Sequence, residues 1–152
     1  MAARCAPDSW AEAGGVAAQA LAIQERAGQL AQTDAEVWEV ALAALERTRS
    51  ADPQGDHELE QKLNRAAAAP LEIAQLGADT AELAALTSER CEPQYRADAA
   101  AAAALAAGGA RAATHLVEVN LTVREGDVRL ERARASDRAA WEWAERVLET
   151  IR

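Results

Sequence analysis

The sequence predicts an all-α fold: a bundle of about four long helices, the second one kinked at Pro70, assembled as an intimate homodimer. Three observations carry this expectation. Apolar residues recur at three- and four-residue steps over long stretches, the signature of amphipathic helix. No strand-like alternation of four to eight residues survives along the 152 positions. HLVEVNLTV alternates weakly, but it continues the helical periodicity before it and is read as helix. Third, half of the residues are apolar, yet Phe is absent and alanine is much the commonest residue. Bulky side chains are sparse, so helices must approach closely over Ala and Gly faces. Such a chain needs a partner to bury enough surface, hence the dimer. At this length one core is available, and residues 1–152 form a single domain.

Three punctuation points divide the chain into four segments. The first runs from about Asp8, an N-cap candidate, to about Arg49, ahead of SADPQGD. The second begins after Gly55 and reaches about Glu89. It contains Pro70 in AAAAPLEIA, which removes a helix hydrogen bond and predicts a kink. The third starts at Asp98, after EPQYR, and runs through the alanine block to about Thr122. Leu105, Gly109, Ala112, Leu116, Val119 and Val123 form its expected core face. Alanine is the best helix former, so the run 99–104 reads as helix. The fourth follows REGD with Asp127 as its cap. It places Ala140, Trp143, Ala144, Val147 and Ile151 at three- and four-residue steps.

Composition excludes several functions. A formal net charge of -9 argues against a general phosphate-backbone binder, so no nucleic-acid partner is expected. No run of 18 apolar residues and no signal-peptide pattern exist, which predicts a cytoplasmic chain without a membrane partner. Cys5 and Cys91 are far apart, with no CxxC, and His57 and His115 are isolated, so no zinc site is expected. Gly14-Gly15 lacks the spacing of a phosphate-binding loop, and no GxSxG or HExxH occurs.

The residue that stands out is Asp34, in LAQTDAEVWEV. On a helical wheel, Ile23, Ala27, Leu30, Val37, Trp38, Ala41 and Leu45 fall within ~60° of it. A carboxylate inside an apolar stripe costs stability unless compensated. One reading is local: Thr33-Asp34-Ala35-Glu36 fits a capping box, so a helix restarts there. The other is a partly buried functional carboxylate, whose raised pKa suits acid/base work; simple exposure is the third. Asp98 opens a strongly helical block, so N-capping is its default role, although a helix N-terminus also attracts anions. Asn120 lies near a helix end or is hydrogen-bonded to something specific. His115 reads as a surface or satisfied core residue. Trp38, Trp141 and Trp143 read as core anchors, although an indole also stacks on a flat heterocycle.

Several separated pieces resemble the cyclodeaminase/cyclohydrolase family of folate metabolism. LAQTDAEVW is similar to the family pattern of Leu, three residues, Asp-Ala-x-Ala and an aromatic. Ala69-Pro70-Leu71 resembles its Val-Pro-Leu segment, Arg96-Ala97-Asp98 its Ser-Asp helix start, and Val117-Glu118-Val119-Asn120-Leu121 its Asn-Val-x-Ile-Asn-Leu ending. Together these span about residues 20–125. The family's Pro-Gly-Gly-Gly-Ser turn has no counterpart, and MAARCAPDSW resembles the end of the helix that follows that turn, as in a chain that starts late. Leu116 stands where the family has Asn, and Ala97 where it has Ser.

The resemblance implies a methenyltetrahydrofolate cyclohydrolase or a formimidoyltetrahydrofolate cyclodeaminase that needs no metal or redox cofactor. It implies Asp34 as the acid/base, with Asp98 and Asn120 orienting the one-carbon unit or the pterin. Arg96, or Arg111, would meet the acidic tail of the tetrahydrofolate derivative. The alternative is a catalytically degenerate or truncated homologue, acting as a helical folate-binding or interaction module.

Overall fold

A proline inside a helix cannot donate to the carbonyl four residues back, and the second helical rod of this protein breaks accordingly. The computed structural model describes residues 10–48, 53–121 and 126–150. Its helices are α1 (Ala13–Thr48), α2 (Pro53–Ala66), α3 (Ala68–Arg90), α4 (Arg96–Asn120) and α5 (Val128–Thr150), with a 3-10 turn at Pro93–Tyr95. No strand occurs among the described residues. α2 and α3 are two halves of one rod, so the chain forms a bundle of four rods with the second one kinked. Ala67, at the break, keeps helical backbone angles of φ -75° and ψ -15°. The bonds from Ala67 N–H to Leu63 O and from Leu71 N–H to Ala67 O persist at 3.1 and 3.2 Å. The missing rung is the one Pro70 cannot supply, to Ala66 O.

α3, α4 and α5 make the main core, through Ala81, Ala85, Ala103, Ala107, Ala140 and Ala144. Alanine on every face lets the backbones close in. The approach is tightest at Gly77 of α3, where an added Cβ would lie 2.8 Å from Ala110 Cβ and 3.0 Å from Ala106 O. A second cluster joins Leu71, Val117, Leu121 and Leu130 beside the kink. α1 lies along the outside of the α2–α3 rod, burying Val16, Leu30, Ala41 and Ala44.

Several expectations change. α1 runs unbroken through Asp34, and Thr33 donates its hydroxyl back to Gln29 O at 3.0 Å. The helix therefore does not restart there, and the capping-box reading fails. α4 begins at Arg96, two residues before the expected start, because the 3-10 turn passes directly into α geometry at Tyr95 (φ -101°, ψ -2°). Asp98 sits in the first turn rather than at the cap.

The expected core face of α4 is its outer face. Leu105 is 78% exposed, and Leu116 and Val119 are exposed too, whereas Ala99, Ala103, Ala107, Ala110 and Val117 are buried. Close packing selects the smallest side chains for the inside. Trp38 is likewise exposed at 43%. Trp141 and Trp143 are only half-buried, each under a guanidinium: Arg111 at 4.8 Å and Arg146 at 5.2 Å. Asp127 does cap α5, accepting from Arg129 N–H at 2.9 Å. Asp8, Arg49, Thr122, Val123 and Ile151 lie outside the described residues.

Candidate functional site

α1 and α4 both flank α3, and a groove opens between them over one end of its surface. The groove holds about 320 Å³ and is walled by Val16 and Ile23 of α1, Thr80, Leu83 and Thr87 of α3, and Asp98 of α4. Both threonine hydroxyls donate to their own helix, Thr80 to Leu76 O and Thr87 to Leu83 O. They therefore face a ligand as methyls and lone pairs. The groove is apolar apart from these oxygens and the Asp98 carboxylate, which the positive end of the α4 dipole favours. Behind it, Ser88 Oγ and Arg96 Nε are buried without hydrogen-bond partners. Cys91 is a buried free thiol there; burial pushes its pKa up, against the opposing charge of Arg96.

Asp34 lies on the same face of α1 as Ile23, eleven residues and therefore about 16 Å farther along. The register of α1 against the α2–α3 rod is antiparallel. Arg26 pairs with Glu72, while Val16, Ala20 and Ile23 share the groove with Thr80 through Thr87. Carried onward, that register sets Asp34 opposite the break at Ala66–Ala67. Asp34 is half-buried there, and desolvation raises its pKa above the ordinary carboxylate value.

The same end of the bundle holds Asn120, which is buried and donates its amide Nδ2–H to Ala66 O at 3.0 Å. It fills the vacancy that Pro70 leaves. Arg129 secures the junction from α5, donating to Asn64 O at 3.2 Å and Asn64 Oδ1 at 2.9 Å while paired with Asp127.

The structure thus sorts the sequence candidates into two groups. Asp98 and Arg96 stand at the groove end; Asp34 and Asn120 stand at the kink end. Asp98 and Asn120 are separated by twenty-two residues of one helix, about 33 Å. Arg111 belongs to neither group: it pairs with Asp137 and covers Trp141. His115 is on the surface beside Glu118. Sequence reasoning missed Thr80 and Thr87, whose seven-residue spacing places them on one helical face. It also missed the Asn64–Arg129 clamp, which joins side chains 65 positions apart and leaves no local signal.

Over the described residues, fold and groove define an all-helical bundle with an apolar groove bordered by the Asp98 carboxylate. The chain belongs to the formiminotransferase-cyclodeaminase family, whose model matches residues 3–137. Searches of curated proteins and of solved structures return no match. The family places the chain in folate-related chemistry. Among the described residues, no helix is long and apolar enough to cross a membrane, and no three His, Cys, Asp or Glu side chains cluster as metal ligands.

Proposed function

We propose that this protein is a cytoplasmic, homodimeric enzyme of one-carbon metabolism acting on a tetrahydrofolate derivative, with Asp34 as its acid/base. The supporting observation is a carboxylate of raised pKa, half-buried in the apolar stripe of an unbroken helix. In the cyclohydrolase direction, water adds to the methenyl carbon between N5 and N10 of 5,10-methenyltetrahydrofolate. Asp34 takes a proton from that water and returns one to N5 as the C–N5 bond breaks, giving 10-formyltetrahydrofolate. In the cyclodeaminase direction, N10 attacks the carbon of the protonated formimino group, the N10 proton passes to Asp34, and the resulting C–NH2 collects it and departs as ammonia, leaving the methenyl cation. One carboxylate that both accepts and donates serves either route, and burial that raises its pKa favours the donating half. The groove walls beside Asp98 supply a flat apolar bed with one acceptor for the same ligand, and Arg96 is the cation for the acidic tail.

The second reading, a non-catalytic folate-binding or interaction module, draws on a different observation. Within one chain the register places Asp34 roughly 20–30 Å along the bundle from Asp98. In addition, the Asn120 amide is engaged by Ala66 O, and Leu116 replaces a family Asn.

The test follows the absorbance of methenyltetrahydrofolate with wild type and with Asp34→Asn. Clearance by wild type well above the variant establishes the cyclohydrolase and Asp34. Traces that coincide with the blank exclude cyclohydrolase activity, and the formimino substrate then decides between cyclodeaminase and binding module.

A further inference from the structure

The groove between α1, α3 and α4 has a polar end and an apolar end. The chain turns from α3 into α4 over residues 91–95, so Thr87 and Asp98 stand together at that end. Ile23, Leu83 and Ala102 continue the walls away from it, over a buried floor that includes Ala84 and Ala99. At about 320 Å³ the groove lies near the lower bound of small-molecule clefts, roughly 300–1,000 Å³. It has room for one ring system with a short arm.

The polar atoms of its lining side chains all accept. The hydroxyl hydrogens of Thr80 and Thr87 are engaged by Leu76 O and Leu83 O, at 2.6 and 2.7 Å, so only lone pairs remain for a ligand. Asp98 adds a carboxylate that has no hydrogen bond or ion pair among the described residues. Arg96, two positions earlier, lies about 200° around the helix, and its Nε is buried behind the groove. No lysine, arginine or histidine lines the groove. Around Cys91, at the same end, stand one cation, Arg96, and two anions, Asp98 and Glu92. The α4 dipole adds about half a positive charge there, which leaves that end net negative. The net charge of -9 on the whole chain acts in the same direction.

We propose that the groove binds a small primary ammonium ion with a flat apolar body, the ammonium at Asp98 and Thr87 and the body along Ile23 and Leu83. An ammonium offers N–H donors and no acceptor, the complement of side chains that accept and do not donate. A carboxylate or phosphate would meet Asp98 with no donor side chain to hold it. A wholly apolar ligand would take water from the Asp98 carboxylate and return nothing. The proposed folate chemistry lays its substrate on the same walls, so an ammonium ligand seated there excludes the folate. Only this competitive half rests on that reading.

The test titrates the full chain with benzylammonium and follows the amide chemical shifts by NMR. The shifts should map to residues 16–23, 80–87 and 98–102, with a Kd of about 1 mM for so small a probe. Benzyl alcohol, of the same shape and uncharged, should bind about fivefold more weakly, and benzoate about tenfold more weakly. In Asp98→Asn the preference for benzylammonium over benzyl alcohol should disappear. Ala102→Leu, which adds bulk at the rim, should weaken both probes alike and keep the helical circular dichroism of wild type. Equal binding of alcohol and ammonium by wild type, a preference that survives Asp98→Asn, or shifts centred elsewhere each overturns the proposal.

Competition is read separately. Benzylammonium at a concentration equal to its own Kd should raise the KM for methenyltetrahydrofolate about twofold and leave kcat unchanged. An unchanged KM in an active enzyme whose groove binds the probe overturns the exclusion. A wild type that turns over neither folate substrate overturns the folate reading, and the shift map still decides the groove.

Discussion

Along its inner face α4 presents Ala99, Ala100, Ala103, Ala107, Ala110 and Ala113, none more than 4% exposed, whereas its outer face carries Leu105 at 78%, Val119 at 53% and Leu116 at 45%. Alanine dominates the inner face, with Val117 its one buried large aliphatic, while Leu105, Leu116 and Val119 stand outside, against the usual distribution. The inner face is occupied by α3 and α5, whose own small side chains allow close approach. The outer face has the side chains to bury area, and among the described residues no element covers Leu105, Leu116 or Val119. Smallness marks a finished contact here, and bulk marks an unfinished one.

The sharpest way to break that contrast is Ala107→Leu. Ala107 is fully buried among alanines, so the added volume has nowhere to go, and a loss of about 3 kcal/mol is expected in urea unfolding. Loss below about 1 kcal/mol would mean that the inner face has room to spare. Asn120→Ala, at the far end of the same face, leaves Ala66 O buried without a donor and should cost about 1–3 kcal/mol. Asn120→Asp tests the direction of that bond, since a carboxylate cannot donate to a carbonyl.

On the outer face, Gly109→Ala should move the opposite way. The added methyl meets nothing within 4 Å, so the variant should gain about 0.5–1 kcal/mol of helix stability in urea unfolding. A glycine needed inside the chain would show destabilisation instead.

The smallest effect belongs to Asp34, half-buried on α1. Burial holds its folded pKa above the ordinary 3.8. The folded chain therefore binds this proton more tightly than the unfolded chain, and stability falls as pH rises through the window above 3.8. Asp34→Asn removes that penalty. Its melting temperature should match wild type below the window and exceed it at pH 7, even as turnover is lost.

These contrasts also show what the sequence could and could not disclose. Period is local, so the helices and the Asp127 cap were legible from spacing and composition. The phase of α4 was not, because Leu105, Leu116 and Val119 share a face at correct helical spacing, and spacing alone does not say which side another helix covers. Pro70 announced a lost rung, but its replacement by Asn120 depends on tertiary contact. The unusual position of Asp34 was legible from its neighbours on the wheel. Its separation from Asp98 needed the antiparallel register, which no single segment contains.

The bond from Asn120 to Ala66 O also orders events in time. Donor and acceptor are 54 positions apart, so a ribosome that has just made Pro70 must add fifty more residues before the bent rod can be sealed. At ~5–20 residues per second this takes roughly 2.5–10 s. Throughout that interval the α1–α2 hairpin can exist, but its junction with α3 carries an open acceptor that only the later half of the chain can close. The N-terminal half is therefore held back from its final shape until the C-terminal half is made, and completion of the bend reports that synthesis has passed Asn120.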